Sequence, residues 1–118
     1  MIQIKRVYEA PGPEDGRRLL VDRLWPRGLS REEARLDGWL KEIAPSDELR
    51  RWFGHDPERW EAFQSRYRAE LESVGAVLDE LCQTARREKV TLLYAAKDEA
   101  HNNAVVLKDF IEARMAKR

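Results

Sequence analysis

The chain has 118 residues, with 22 basic and 22 acidic side chains that cancel to a formal net charge of zero. No global field therefore recruits nucleic acid or an anionic membrane, and the length suits one domain, residues 1–118, built on a single core. A lone cysteine, Cys82, excludes an internal disulfide and any cysteine-rich metal site.

Residues 2–7, "IQIKRV", alternate apolar and polar side chains and predict a half-buried strand. The start "MIQIKRVYE" has no signal-peptide pattern, which predicts a cytoplasmic protein. "APGPEDG" is dense in turn residues and predicts a loop. In "RLLVDRLW", Leu19, Leu20 and Val21 are consecutive, as in a strand covered on both faces. Pro26 and Gly28 then break regular structure, and Ser30 with Glu33 has the spacing of a capping box. Leu36, Trp39, Leu40 and Ile43 continue a helical spacing, interrupted by Asp37 and Gly38 and ended by Pro45.

Ser46 predicts the next helix cap, Leu49, Trp52 and Phe53 its apolar face, and Gly54 its stop. Asp56-Pro57 restarts a helix whose stripe is Trp60, Phe63, Tyr67 and Leu71. Another helix carries Val74, Val77, Leu78, Leu81, Cys82 and Ala85. "VTLLYAA" is the third strand, and a last helix begins near Ala100 and frays by Lys117. No apolar run is long enough to span a bilayer.

The long helical excursion between the second and third strands predicts that they run parallel. The first two are only a short loop apart, so a hairpin and a crossover are both open. The expected architecture is α/β: a small sheet of about three strands, at least partly parallel, packed with four to six helices. Ligands of such sheets gather beyond the carboxyl ends of the strands. Two polar clusters, "DRLWPRG" and "KDEAHNN", fall there.

In the second cluster, Asn103 lies on the apolar arc of the last helix if it is already helical, so its amide needs partners. Lys97 precedes a helix start that already favours an anion, and a ligand or a carboxylate explains it better than helix stability does. Simple capping by Asp98 or Asn102 is the plainer account. In the first cluster Asp22, Arg23 and Arg27 suit either a ligand or an internal ion pair, and Trp25 either a stacking platform or a core wedge. His55 and Asp56 read as a helix start, and Cys82 as a buried thiol. Glycine-rich phosphate loops, GxSxG and HExxH are absent, and two histidines cannot make a histidine-rich metal site.

Three stretches, "LLVDRLWPRGLSREEARLDGWLKEIAPS", "LRRWFGHDPERW" and "LLYAAKDEAHNNAVVL", resemble the short, YeaO-like branch of the domain-of-unknown-function family numbered 488. The resemblance runs end to end and implies a compact cytoplasmic α/β domain of bacteria or archaea, without an established activity. Longer relatives have cysteines near the third strand and the following helix. Ala95, Ala96, Asn102 and Asn103 stand at those positions here, so no thiol chemistry carries over.

The functional expectation is a small anionic ligand, nucleotide-like or otherwise, at the strand ends, bound by Arg23, Trp25, Arg27, Lys97, Asn102 and Asn103. If there is catalysis, His101 is the general acid or base, with Asp22 or Asp98 orienting it. No metal site and no particular cofactor or oligomeric state is indicated. The alternative is a non-catalytic module for a protein or nucleic-acid partner, with arginines 17, 18, 23, 27, 31 and 35 as a basic face. Interleaved acidic residues weaken that alternative.

Overall fold

The computed structural model describes residues 1–117. Its sheet has four parallel strands, β1 (Ile2–Arg6), β2 (Arg17–Leu20), β3 (Gly38–Trp39) and β4 (Val90–Tyr94), in the spatial order β1-β4-β2-β3. Five α-helices accompany it: α1 (Arg31–Ala34), α2 (Asp47–Phe53), α3 (Trp60–Leu71), α4 (Gly75–Arg87) and α5 (Asn103–Ala116). No helix among the described residues is long and apolar enough to cross a membrane.

The continuous apolar run of β4 has its cause in that order. β4 is a central strand with all five residues buried, and Leu92 pairs with Ile4 on one side and Leu19 on the other. Side chains then alternate between two cores. Val90, Leu92 and Tyr94 join Leu19 and Val21 beneath α2, α3, α4 and α5, whereas Leu93 and Leu20 join Val7 and Ala34 on the opposite face. Neither a hairpin nor direct pairing links β1 and β2, because β4 lies between them. Their connection crosses over β4.

Two expectations need correcting. The helical spacing through Leu36, Trp39 and Ile43 is not a helix: α1 ends after one turn, with Arg35 in the left-handed region at φ 47°. The chain then extends as β3, the Asp37 N–H donating to Arg18 O at 2.8 Å and the Leu40 N–H to Leu20 O at 2.9 Å. The short strand supplies the fourth member of the sheet. The last helix starts at Asn103 rather than near Ala100, since Asn102 is its cap and accepts from the Val105 N–H at 3.1 Å. The predicted caps at Ser30 and Ser46 and the stop at Gly54 are present.

Beside the smaller core on the second face of the sheet lies a buried ionic network. Asp15 is 3% exposed and Arg18 4%. The Asp15 carboxylate accepts from Lys5 Nζ at 3.0 Å, Arg18 at 2.5 Å and the Gly12 N–H at 3.0 Å. Arg18 also donates to the Ala34 carbonyl at 2.7 Å, tying β2 to the end of α1. Gly16 makes the intervening turn at φ 62°, with its α-carbon against the Lys89 backbone, so an added Cβ would collide with the Lys89 carbonyl oxygen. Gly16→Ala is expected to lower stability by about 2–4 kcal/mol, combining backbone strain with overpacking. Urea unfolding would measure it, and an unchanged midpoint would mean that the Lys89 backbone yields freely.

Candidate functional site

The carboxyl ends of the strands open into a cleft of about 790 Å³. Tyr8 follows β1 at one edge, residues 22–27 follow β2, and Ala95, Ala96, Lys97 and Asp98 follow β4. The far wall is the end of α2, with Arg50, Arg51, Phe53, Gly54 and His55. Phe53 and Phe63 stack at 4.3 Å between centroids and form an apolar inner surface. Arg27, Arg51 and Lys97 are exposed at the rim.

Asp22 is the best-anchored polar group of the cleft. It stands at the end of β2 because Val21 completes the buried strand and the chain must turn before Pro26. Its Oδ2 accepts from the Ala95 N–H at 2.9 Å and its Oδ1 from Asn103 Nδ2 at 3.1 Å. Trp39 Nε1 donates to its main-chain carbonyl at 2.7 Å. Asn103 Nδ2 also donates to Val21 O at 2.9 Å, which supplies the partners that an amide on the buried arc requires. Burial pushes the Asp22 carboxyl above its usual range, an effect opposed by the Ala95 N–H, by Asn103 and by the fields of His55 and Arg50. This hydrogen-bonded group ties β2, β4 and α5 together at one point.

Eight of the nine residues singled out from the sequence line this cleft: Asp22, Arg23, Trp25, Arg27, Lys97, Asp98, Asn102 and Asn103. Their engagements differ. Arg23 donates through Nε to Pro45 O at 3.0 Å and through a terminal nitrogen to Ala44 O at 3.2 Å, so its guanidinium holds the approach to α2. Trp25 donates to Leu29 O at 2.7 Å and packs edge-on against Trp39 at 5.3 Å, a core wedge at the border of the cleft. Asn102 is buried as the α5 cap. Lys97 and Arg27 make no side-chain hydrogen bond or ion pair with the described residues.

His101 is the residue not brought into the cleft. Its Nδ1 pairs with Asp98 Oδ2 at 2.9 Å, and its ring meets Trp60 edge-on at 5.1 Å. The Ala100 and His101 N–H groups donate to Asp98 Oδ1, and these bonds with the His101 ring hold the Asp98 carboxyl below its usual range. That loop is a self-contained turn in front of α5.

Sequence reasoning missed the α2 wall. His55, read as a helix start, lies in the left-handed region at φ 58° directly after Gly54 at φ 51°, and this double turn sends it to the cleft. Arg50 is bonded to Asp47 at 3.3 Å, yet its Nε is buried with no partner. The available signal was the pair Arg50-Arg51 in the last turn before a glycine stop. What it lacked was the direction in which α2 points.

Of the six arginines of the suggested basic face, Arg17, Arg27, Arg31 and Arg35 are exposed and two are engaged internally. Arg18 is buried inward, Arg23 is bonded to carbonyls, and Arg31 lies over the Trp25 ring at 4.8 Å.

Comparison with known proteins gives the lineage. The uncharacterized protein YeaO of Escherichia coli K12 is 43% identical over 112 residues, covering 95% of this chain and 97% of its own. The uncharacterized proteins Rv3073c of Mycobacterium tuberculosis H37Rv and Mb3100c of Mycobacterium bovis are each 42% identical over 113 residues, covering 96% of this chain and 95% of theirs. No solved structure matches the chain significantly. A family model described as the inactive DUF488-N3 subclade matches residues 1–118, and with relatives this similar along their whole length the chain belongs to that family.

Proposed function

We propose that the cleft binds a small anionic molecule with an apolar or aromatic body and does so without turning it over. The observation that carries this is the charge of the lining. In a chain whose formal charge is zero, five cationic side chains, Arg23, Arg27, Arg50, Arg51 and Lys97, meet two carboxylates, Asp22 and Asp98, among the described residues of the lining. Both carboxylates accept from backbone N–H groups, and neither is ion-paired with a described lysine or arginine of the lining. Exposed Arg27, Arg51 and Lys97 then favour an anion, and the volume is typical of small-molecule sites.

Binding without chemistry is supported by what faces the cleft. No serine, threonine or cysteine lines it, and the Tyr8 hydroxyl donates to the Arg27 carbonyl at 2.8 Å. His101, the best acid–base candidate in the sequence, is committed to Asp98 outside the lining. The family description "inactive" agrees with this reading. A cytoplasmic location belongs to the same proposal, supported by the single cysteine, which is buried and free.

A thermal-shift screen with nucleotides, sugar phosphates and simple oxyanions tests the proposal. A ligand at 100 times its dissociation constant stabilises by about 2.7 kcal/mol, enough to raise Tm by several degrees in a domain of this size. Lys97→Ala and Arg51→Ala are each expected to weaken binding about three- to tenfold while leaving the unliganded Tm within about a degree, because both side chains are exposed. The proposal fails if no anion shifts the wild type, or if both variants bind as the wild type does.

A further inference from the structure

Resting on the anion-cleft reading, we propose that the ligand is a flat heteroaromatic monophosphate with two adjacent N–H donors, a guanine-like edge, seated on the Asp22 carboxylate while its phosphate meets Lys97 and Arg51. The argument begins with unused acceptor capacity. A carboxylate offers about four acceptor positions. Asp22 receives one protein donor on each oxygen, from Ala95 and from Asn103, and the group lines the cleft. Each oxygen therefore keeps capacity for one further donor. Two parallel N–H groups are the complement of such a carboxylate, as in bidentate guanidinium pairs.

The surroundings decide what carries those donors. A cationic head would enter beside Arg23 and Arg50, among a surplus of positive side chains, so a neutral pair of donors suits the site better. Trp25 and the edges of the buried Phe53 and Phe63 give the lining an apolar part, which suits the body of a heteroaromatic ring. The cleft is polarised along its depth. Its acceptor is the half-buried Asp22, and its free cations are exposed at the rim, which separates a donor edge from an anionic tail. An adenine edge fits poorly, because its ring nitrogen would set a lone pair against the carboxylate. A hypoxanthine edge offers only one of the two donors.

Calorimetric titration of the intact protein with GMP, IMP, AMP and ribose 5-phosphate tests this. GMP is expected to bind about tenfold or more tightly than IMP, the loss of one charge-assisted hydrogen bond, and AMP no better than ribose 5-phosphate. Asp22→Asn should erase the preference for GMP while retaining the affinity for ribose 5-phosphate. Should that variant fail to fold, the wild-type series decides alone. Equal affinities for all four compounds would overturn the guanine-like assignment and leave the anion cleft standing. A GMP preference that survives in folded Asp22→Asn would also overturn it. Binding of none of the four would overturn both.

Discussion

Asp15→Ala should remove about 3–5 kcal/mol of stability at neutral pH, a loss of the size expected for truncating a large core side chain. The reason is what the substitution leaves behind. Arg18 would keep its carbonyl partners at Ala34 and Arg35, but its charge would stay buried at 4% exposure without a counter-ion. Lys5 would lose the same carboxylate. Replacing the whole network by apolar residues is a different experiment and need not destabilise, since desolvating the ions already offsets much of their attraction.

The loss should depend on pH in a set direction. Burial acts to raise the Asp15 pKa, but the Gly12 N–H, Lys5 and Arg18 outweigh it and hold the carboxyl below its usual 3.8. A carboxyl depressed in the folded state stabilises above its unfolded value and loses that contribution as pH falls through the folded one. Wild type and Asp15→Ala should therefore differ by a constant amount above about pH 5 and converge only under acid. Urea unfolding at pH 7, 5 and 3 would measure it. A difference of less than 1 kcal/mol at pH 7 would mean that water reaches Arg18 and that the network is not a buried one.

Asn103→Asp is the second large effect, and it tests the inner wall of the cleft. The shape is preserved, but a donor facing Val21 O and Asp22 Oδ1 becomes an acceptor. Two carboxylates would share one site, and the variant should lose about 2–3 kcal/mol at pH 7. The pair resolves the conflict by holding a proton, so its folded pKa is raised. The folded state then binds more protons than the unfolded chain, and the variant regains stability as pH falls toward 5. Asn103→Ala is the control: it removes the same two bonds with no added charge, so its deficit should shrink less on acidification, by only what loss of the Asn103 donor adds to the upward shift of Asp22. If Asn103→Asp shows no such recovery, Asn103 and Asp22 are not in contact in solution.

The two variants also separate two kinds of polar residue that sequence reasoning treats unequally. Asn103 was legible because a helical wheel puts an amide on an apolar arc, and a buried amide demands partners. Asp15 was not. It sits in a proline- and glycine-rich loop, where an acidic residue normally faces water, and only the approach of β2 and α1 buries it. Arg18 failed in the same way: in a list of arginines it resembles a surface cation, while in the sheet it points inward.

The strands show the same division. The runs of β2 and β4 predict strands covered on both faces, and the length between them predicts parallel pairing, because these properties belong to continuous segments. β3 was misread because two residues carry no periodicity, and its pairing is decided by the β2 carbonyls it meets. The insertion of β4 between β1 and β2 is likewise invisible locally, since a short loop permits adjacency without requiring it.

By itself, the sequence determined an α/β domain with parallel pairing, the caps at Ser30 and Ser46, the stop at Gly54, and two polar clusters at strand ends. Each is a local matter of hydrophobic period, capping chemistry or chain reversal. Tertiary structure alone decided that Asp22 and Asn103, far apart in the chain, would share a hydrogen bond at 3.1 Å. It also decided that His101 would turn toward Asp98 and Trp60 while Arg50, Arg51 and His55 came to the cleft. The physical reason is that a side chain's type is written at its position, whereas its neighbours depend on how α2 and α5 pack across the sheet.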